Sequence, residues 1–319
     1  MGDDVHQGML DGAQHTCGNF RLLLADRRVH GCDHQIELGE AFVGEIQRAI
    51  GQDVAFDPGQ HLNTLDACVQ LADAGGVLER EDYLDAARST AEFVLGELRG
   101  PDGRLLRTWK DGRAKLNAYL EDHAFLLEAL ISLYEATFEP RWFAEARALA
   151  DTTLERFADD ENGGFFETST DHEQLVARRK DLEDHPIPAG NSSAAYGLLR
   201  LAALTGEHEY EARADSVLRL LHELAPKHPQ AFGHLLQALD FRLAQVKEVA
   251  LVGHELRPLE RVLRDSFRPH IVLAGGEPDG VPLLEGREPV EGRATAYVCE
   301  QFLCKAPVTE PAELESLLA

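Results

Sequence analysis

Three stretches, EDYLDAA (residues 81–87), EPRWFAEA (139–146) and EHEYEARA (207–214), repeat one pattern along the middle of the chain. Each is a short acidic turn that leads into an aromatic residue and an amphipathic helix. The aromatic residues Tyr83, Trp142 and Tyr210 lie 59 and 68 residues apart by subtraction of their numbers. Each interval can hold two helices and a loop, so the repeat predicts an array of helical hairpins.

Two kinds of helix alternate in this region. The segments that begin at the repeated aromatic residues have one apolar and one charged face, as surface helices do: Tyr83–Leu98, Trp142–Phe157 and Tyr210–Leu224. The segments Tyr119–Tyr134 and Ser192–Leu204 are apolar on nearly every side, which is typical of helices packed all round. We therefore predict a mainly α fold over residues 61–245, a partial (α/α) toroid with inner and outer helices.

Short β segments are expected in two of the connections. Residues 101–109 contain Asp-Gly and residues 161–168 contain Asn-Gly, each before aromatic or apolar residues, a pattern that favours hairpins. The long loops that return to the inner helices should then cluster at the N-termini of those helices.

The pattern changes after Gln245. Residues 248–253 and 270–274 have the composition of buried strands, and residues 256–267 between them that of a helix, which predicts a parallel pair. Residues 296–299 and 302–304 predict a further strand or hairpin before a closing helix. We therefore predict a small C-terminal α/β module over residues 246–319. Its Gly275-Gly276 lacks the GxGxxG pattern of a nucleotide site.

The first 60 residues differ from the rest and predict an atypical, poorly ordered leader in which only Leu38–Ile50 resembles an amphipathic helix. Its Cys17, His30, Cys32 and His34 lack the paired spacing of a zinc site. The chain has five cysteines and an acidic beginning without a secretory signal, so we predict reduced thiols in the cytoplasm. Cys299 and Cys304 fit neither a CxxC pair nor a zinc knuckle, and we predict no metal and no cofactor.

The charge excludes two classes of partner. Asp and Glu number 56 against 31 Lys and Arg, a net charge of -25. Nucleic acid binding requires a basic face, so we expect neither a nucleic acid partner nor an anionic membrane. No GxSxG, HExxH, P-loop or CxxC motif supports serine hydrolase, zinc protease, NTPase or thioredoxin-type chemistry.

The first candidate cluster opens the inner helix 119–134. Glu121, Asp122 and His123 are consecutive ionisable residues in an otherwise apolar helix, where burial is costly unless they are paired or face water. Two interpretations stay open: a carboxylate that caps the helix, and a set of catalytic groups. Arg107, Trp109 and Tyr119 precede the cluster and are candidates for substrate binding, Trp109 either as a face for sugar stacking or as a core residue.

The second candidate cluster lies in the loop before the next inner helix. Lys180, Asp181, Asp184 and His185 crowd this loop, and Asn191, Ser192 and Ser193 are good N-cap residues. A rigid loop with a cap explains the serines and the asparagine but not the charges. If the inner helices are neighbours, Glu121, Asp122, His123 and Asp181 could supply acid–base catalysis on a sugar, with Lys180, Asn191 and Ser192 binding it.

These motifs resemble the helical part of the thioredoxin-domain proteins related to spermatogenesis-associated protein, which are grouped with N-acylglucosamine 2-epimerase-like and six-hairpin glycosidase-like folds. The resemblance covers residues 79–319 and rests on motifs that occur in order: DGRLLR (102–107), LEDHAF (120–125), GGFF (163–166), Lys180-Asp181, PAGNS (188–192) and AYVC (296–299) through CKAPV (304–308). It implies a helical toroid and a connection with carbohydrate metabolism.

Two departures from the family are expected to affect function. The family's N-terminal thioredoxin-like domain is not visible, and residues 61–65 read HLNTL where the family has Trp-Asn-Gly. We therefore expect a C-terminal fragment that is a non-catalytic scaffold as it stands, with a sugar epimerase or glycoside hydrolase as the alternative. An open helix array would expose apolar surface, which predicts a homodimer or a partner protein bound there or at the C-terminal module.

Overall fold

The computed structural model of the chain describes residues 58–318 except 173–176 and 278–279, and the side chains of residues 58–64 are not described. The predicted leader, apart from its last three residues, lies outside the described residues. So do the helix expected at 38–50 and the two cysteines Cys17 and Cys32.

Seven helices alternate between two layers across residues 58–243. The inner helices are α1 (Pro58–Leu78), α3 (Leu120–Thr137), α5 (Gly190–Thr205) and α7 (Gly233–Leu243), and the outer helices are α2 (Glu81–Glu97), α4 (Pro140–Phe157) and α6 (His208–Leu220). Each inner helix packs against the next, and α2, α4 and α6 pack on α1, α3 and α5. The prediction of a mainly α, partial (α/α) toroid is confirmed.

The repeated aromatic residues anchor the outer layer. Tyr83, Trp142 and Tyr210 are no more than 2% exposed although they lie in the first turns of amphipathic helices. Burial of one such side chain contributes about 1.5–3 kcal/mol. The repeat therefore marks the point where each outer helix is attached to the inner layer. The outer helix α6 ends at Leu220, four residues before the predicted end, and turns follow it.

A hairpin forms after α2, but its turn is not the predicted one, since only an isolated bridge between Arg99 and Leu105 spans Asp102-Gly103. Strands β1 (Leu106–Lys110) and β2 (Arg113–Asn117) pair antiparallel around Asp111 and Gly112, both of which have positive φ angles, as the two central residues of a type I′ turn require. The expectation for residues 161–168 was wrong: Phe165 makes an isolated bridge to Ala158 and no strand forms. The Phe165 N–H instead binds the Asn191 side chain.

The C-terminal module has a four-stranded sheet with the order β4-β3-β5-β6. Its elements are β3 (Lys247–Val252), α8 (Arg257–Arg264), β4 (Ile271–Gly275), β5 (Thr295–Glu300), β6 (Leu303–Cys304) and α9 (Pro311–Leu318). The pair β3 and β4 is parallel as predicted, and β5 and β6 form the predicted hairpin.

Both faces of the central strand β3 are buried. Along β3, Val249 and Leu251 pack in a small core with α8 and α9, whereas Ala250 and Val252 join the main core of the helical layer. The alternation follows from the two-residue period of a strand. The module therefore packs directly on the inner helices, while the predicted division at residues 245 and 246 stays a prediction.

The expectation of reduced thiols was wrong for two cysteines. Cys299 and Cys304 form a disulfide, because the register of the β5–β6 hairpin places them directly opposite each other. Their spacing of five residues is the spacing of a cross-strand pair around a two-residue turn. Cys68 is buried and free.

Large apolar side chains are exposed at scattered positions in the part of the chain that the structure describes: Leu116, Leu224, Leu243, Phe267 and Leu303. Of these, Leu243 alone belongs to an inner helix. The expected dimer or partner surface stays a prediction. None of the described helices is long and apolar enough to cross a membrane.

The close approach of α3 and α5 can be tested at Gly197. A methyl group there would lie 3.0 Å from Leu127 Cδ2 in a fully packed core. We expect Gly197→Ala to lower the free energy of unfolding by about 1–3 kcal/mol, since overpacking is not relieved there.

Gly96→Ala is the matched control, because Gly96 lies on α2 with nothing within 4 Å of the added methyl. It should raise the free energy of unfolding by up to about 1 kcal/mol. Urea unfolding of both variants gives the comparison, and equal effects would contradict the close approach.

Candidate functional site

The candidate site lies at the end of the array where the inner helices begin, which we call the mouth. A methyl group at Gly190 would lie 3.0 Å from the backbone nitrogen of Glu121, so the first turns of α3 and α5 touch. The Leu120 N–H donates to the Glu167 carbonyl at 2.9 Å, which ties the loop before α5 to the start of α3. The two sequence clusters are therefore neighbours.

Asp122 is buried at the start of α3 and has two partners. Its carboxylate accepts the Tyr119 N–H at 2.7 Å and a hydrogen bond from Arg107 Nη1 at 2.9 Å. The guanidinium of Arg107 also pairs with Glu121 at 2.7 Å and lies 4.5 Å from the centre of the Tyr119 ring. Asp122 therefore accepts the backbone N–H of the residue before the helix, as the third helical residue of a capping box does.

Burial controls the charge of Asp122. It raises the pKa of the carboxyl to about 6, against the opposing effect of the Arg107 guanidinium. An acid with this pKa can hold or release a proton near neutrality, but its oxygens already bind Arg107 and the backbone.

His123 faces the outer layer. Its Nδ1 lies 2.9 Å from the Tyr119 carbonyl oxygen, and its ring centroid lies 4.8 Å from that of Phe157 on α4. Burial lowers the pKa of His123 to about 4, so the ring is neutral at pH 7. Glu121, Asp122 and His123 are consecutive in the sequence, but their side chains lie in different surroundings.

Three carboxylates form an acidic rim at the mouth: Glu121, Glu167 and Asp181. The pKa of Asp181 is raised, first by partial loss of hydration beside neighbouring groups and then by the charges of Glu167 and Glu121, while His185 and Arg179 act in the opposite direction. Asp181 itself is exposed, and Glu121 and Glu167 are half-buried. Arg179 pairs with Glu167 at 2.6 Å. Glu121 and Asp181 belong to the predicted site, whereas Glu167 was not predicted, and all three side chains reach solvent.

The residues expected to bind a substrate are placed differently. Lys180 pairs with Asp159 at 2.9 Å and also donates to the Gly163 carbonyl, so its ammonium holds the loop before α5. Trp109 packs edge-on against Phe93 with ring centroids 5.4 Å apart. Ser192 is fully buried.

Asn191 joins two loop segments to the first turn of α5. Its oxygen accepts the Phe165 N–H at 2.8 Å, and its nitrogen donates to the carbonyls of Phe165 at 3.0 Å and Asp181 at 2.8 Å. The expectation that Asn191 and Ser192 precede the helix as caps was wrong, because both lie in the first turn of α5 and Ala189 is the N-cap residue. A role of Asn191 and Ser192 in substrate binding stays a prediction.

Asp184 accepts hydrogen bonds from backbone N–H groups at the starts of two helices, α5 and α7. One carboxylate oxygen accepts the Ala189 N–H at 2.8 Å, and the other accepts the N–H groups of His234 at 2.9 Å and Leu235 at 3.2 Å. The sequence places Asp184 in the loop but does not reveal this role, because the second helix start lies 50 residues away.

A histidine and a glutamate that the sequence analysis missed meet below the mouth. His234, at the start of α7, has its Nε2 2.8 Å from Glu128 Oε1 on α3, with side chains 16% and 5% exposed. The ring of His234 also contacts Tyr196 edge-on, at 5.5 Å between centroids. The only signal in the sequence is a Gly-His pair before an apolar run, which is insufficient without the helix neighbours.

No group of His, Cys, Asp and Glu side chains within the described ranges has the arrangement of a metal site. The carboxylates and guanidinium groups suit hydrogen bonding to hydroxyl groups, and the pair of His234 and Glu128 suits proton transfer.

Comparison with known proteins gives matches to a family, to individual relatives and to solved structures. A model of the N-acylglucosamine 2-epimerase (GlcNAc 2-epimerase) family matches residues 47–190. Human spermatogenesis-associated protein 20 is 30% identical over 265 residues, which cover 76% of this chain and 34% of that protein. The rat protein of the same name is 32% identical over 272 residues, 78% and 34% respectively. The chain spans about a third of the length of these curated relatives.

Solved structures with a similar fold include cellobiose 2-epimerase from Bacillus thermoamylovorans B4167, with 16% identity, a TM-score of 0.43 and coverage of 51% of this chain and 44% of that one. A family GH76 α-mannanase from Bacteroides thetaiotaomicron has 16% identity, a TM-score of 0.41 and coverage of 50% and 43%.

The burial of His123 predicts a pH dependence. Its pKa is about 4 in the folded protein and 6.5 for an unperturbed histidine, so the unfolded chain binds more protons between these values and the fold gains stability as the pH rises. We expect the difference in free energy of unfolding between the unmodified protein and His123→Asn to grow from pH 4 to 6.5. The growth should be on the order of 3 kcal/mol at most, measured by urea unfolding.

Asp122→Asn is the comparison, since its sign is opposite. The pKa of Asp122 is raised from 3.8 to about 6, so its contribution to stability falls as the pH rises between these values. Slopes of the same sign in the two variants would contradict the assigned environments.

Proposed function

Because the chain is homologous to spermatogenesis-associated protein 20 over most of its length and carries an N-acylglucosamine 2-epimerase-type helical domain, we propose that it is a non-catalytic scaffold that binds a carbohydrate at its mouth. The observation that carries this proposal is the use of the predicted catalytic groups by the fold itself. Asp122 binds Arg107 and a backbone N–H, and the Nδ1 of His123 lies against a backbone carbonyl.

Three carboxylates remain accessible at the surface of the mouth and can bind a sugar. The carboxylates of Glu121, Glu167 and Asp181 are at least partly accessible, and Arg107 and Arg179 hold two of them in place. Carboxylates accept hydrogen bonds from the hydroxyl groups of a sugar, and hydrogen bonds to charged groups contribute about 1.5–3 kcal/mol each. The Tyr119 ring, with one face against Arg107, can add apolar contact.

Hydrolysis by these carboxylates has weaker support. Glycoside hydrolysis needs one protonated and one ionised carboxyl on opposite sides of the scissile bond. Asp122 has the raised pKa but is 4% exposed and engaged with Arg107. Its position inside the first turn of α3 suits a structural role better than contact with a substrate.

Sugar binding can be tested by isothermal titration with N-acetylglucosamine, glucose, mannose and cellobiose. We expect at least one of them to bind, and Glu121→Gln to weaken that binding about tenfold, because a neutral amide replaces a charged acceptor, a change worth about 1.4 kcal/mol. Asp181→Asn should act in the same direction.

The control is Glu155→Gln, the same change of charge at an exposed position of the outer helix α4. It should leave the affinity unchanged. Absence of heat with every sugar, or an equal effect of the control, would refute the binding site.

A second function, sugar epimerisation, is favoured by one specific observation. The Nε2 of His234 lies 2.8 Å from Glu128 Oε1, and the His234 side chain is 16% exposed. A group that transfers a proton next to a sugar carbonyl needs both a partner that orients it and access to the substrate. In this function the histidine removes a proton from the carbon beside the carbonyl, and the electron pair moves to the carbonyl oxygen to give an enediol. A proton from solvent then returns to the opposite face of that carbon, and the glutamate orients the imidazole.

Exchange with heavy water separates the two functions. An epimerase that removes a carbon-bound proton should introduce deuterium at that carbon in D₂O, which mass spectrometry of the recovered sugar detects. We expect no exchange for the scaffold. If exchange occurs, His234→Gln should abolish it, whereas His208→Gln on the outer helix α6, where the side chain is 97% exposed, should not.

A further inference from the structure

The β5–β6 hairpin ends in a disulfide that is buried on one side and open on the other. Cys299 is fully buried on β5, whereas Cys304 is exposed on β6, the edge strand of the sheet. Gln301 and Phe302 form the turn between them, both with positive φ angles. A thiol in solution can therefore attack Cys304, whereas the buried Cys299 is not accessible to it.

A guanidinium lies against both sulfurs. Arg287 Nη2 is 3.1 Å from Cys304 Sγ and 3.5 Å from Cys299 Sγ. Among the described residues no carboxylate lies within ion-pair distance of Arg287, and its Nη1 donates to the Glu285 carbonyl at 3.3 Å. A positive charge beside a cysteine stabilises the thiolate and lowers the pKa of the thiol. Arg287 therefore stabilises the reduced form of Cys299 and Cys304, in which the disulfide has become two thiolates or thiols.

The hairpin is also held by contacts that do not involve sulfur. The buried carboxylate of Glu248 on β3 accepts the Phe302 N–H at 2.7 Å. The Phe302 ring lies against the C-terminal end of α5, where a methyl group on Gly206 would be 3.2 Å from it. Since these contacts hold the turn, the two thiols should stay opposite each other after reduction and be able to form the bond again.

We propose that Cys299 and Cys304 form a reversible thiol–disulfide exchange site that reacts with thiol reductants at Cys304, with Arg287 stabilising the thiolates. A thiolate attacks Cys304 Sγ, a mixed disulfide forms, and Cys299 leaves as a thiolate beside the guanidinium. A second thiolate attacks the sulfur that the first reductant contributed and releases Cys304. Two thiols thus become one disulfide, and the protein gains two electrons and, on protonation, two protons.

The experiment equilibrates the full chain with mixtures of reduced and oxidised glutathione. Alkylation and mass spectrometry of the tail peptide read Cys299 and Cys304 separately from the other cysteines. We expect a reversible transition between disulfide and dithiol. Arg287→Gln should lower the equilibrium constant for reduction about tenfold, a reduction potential about 30 mV more negative, and Arg287→Lys should restore part of it.

Arg293→Gln is the matched control, because Arg293 lies in the same module and pairs with Glu310 and Glu291 instead of sulfur. A pair that stays oxidised or reduced at every glutathione ratio, or equal shifts in the Arg287 and Arg293 variants, would overturn the proposal.

The site of attack has its own test. With Cys299→Ser, the exposed Cys304 should form a mixed disulfide with oxidised glutathione, whereas with Cys304→Ser the buried Cys299 should react at least tenfold more slowly. The opposite order would overturn the assignment of Cys304. Thermal melts confirm that each variant is folded, and the arginine variants, which keep both cysteines, test the proposal independently if a serine variant unfolds.

Discussion

The constraint on which the rest of the structure depends is the burial of the N-terminal ends of the inner helices. The first backbone N–H groups of a helix have no partner within it, and an unsatisfied buried N–H costs about 1–3 kcal/mol. Side chains satisfy them here: Asp122 at the start of α3, and Asp184 at the starts of α5 and α7. Asn191 then binds the loop segments that precede α5 to its first turn. The polar residues of the mouth are therefore first a requirement of the fold.

This requirement bears on function, because the same residue types serve capping and catalysis. Asp122 has a raised pKa and a basic neighbour, which in an open cleft would indicate an acid catalyst. Its oxygens, however, bind a backbone N–H and Arg107. Other polar groups lie nearby, at the acidic rim and at the pair of His234 and Glu128. These groups are better placed than Asp122 to contact a ligand.

The C-terminal module extends the same packing to a sheet. Since β3 has one face in the helical core and one in the core of α8 and α9, the sheet cannot shift without disturbing both. The β5–β6 hairpin is the part of the sheet nearest solvent, yet its turn contacts the end of α5 through Phe302. A chemical change at the cysteines would thus occur at an edge that is connected to an inner helix.

The sequence by itself determined the helix types, their order and the α/β tail, because periodicity and turn residues act over a few neighbouring positions. It also identified Asp122 and Asp181 as unusual, since charges beside apolar runs are visible in one dimension. Only the tertiary structure decided that Asp122 caps a helix, that Asp184 joins two helix starts, that His234 meets Glu128, and that Cys299 faces Cys304. Each of these depends on a partner set by packing or by strand register, and in the sequence nothing specifies which residue 50 or 106 positions away will be brought within hydrogen-bond distance.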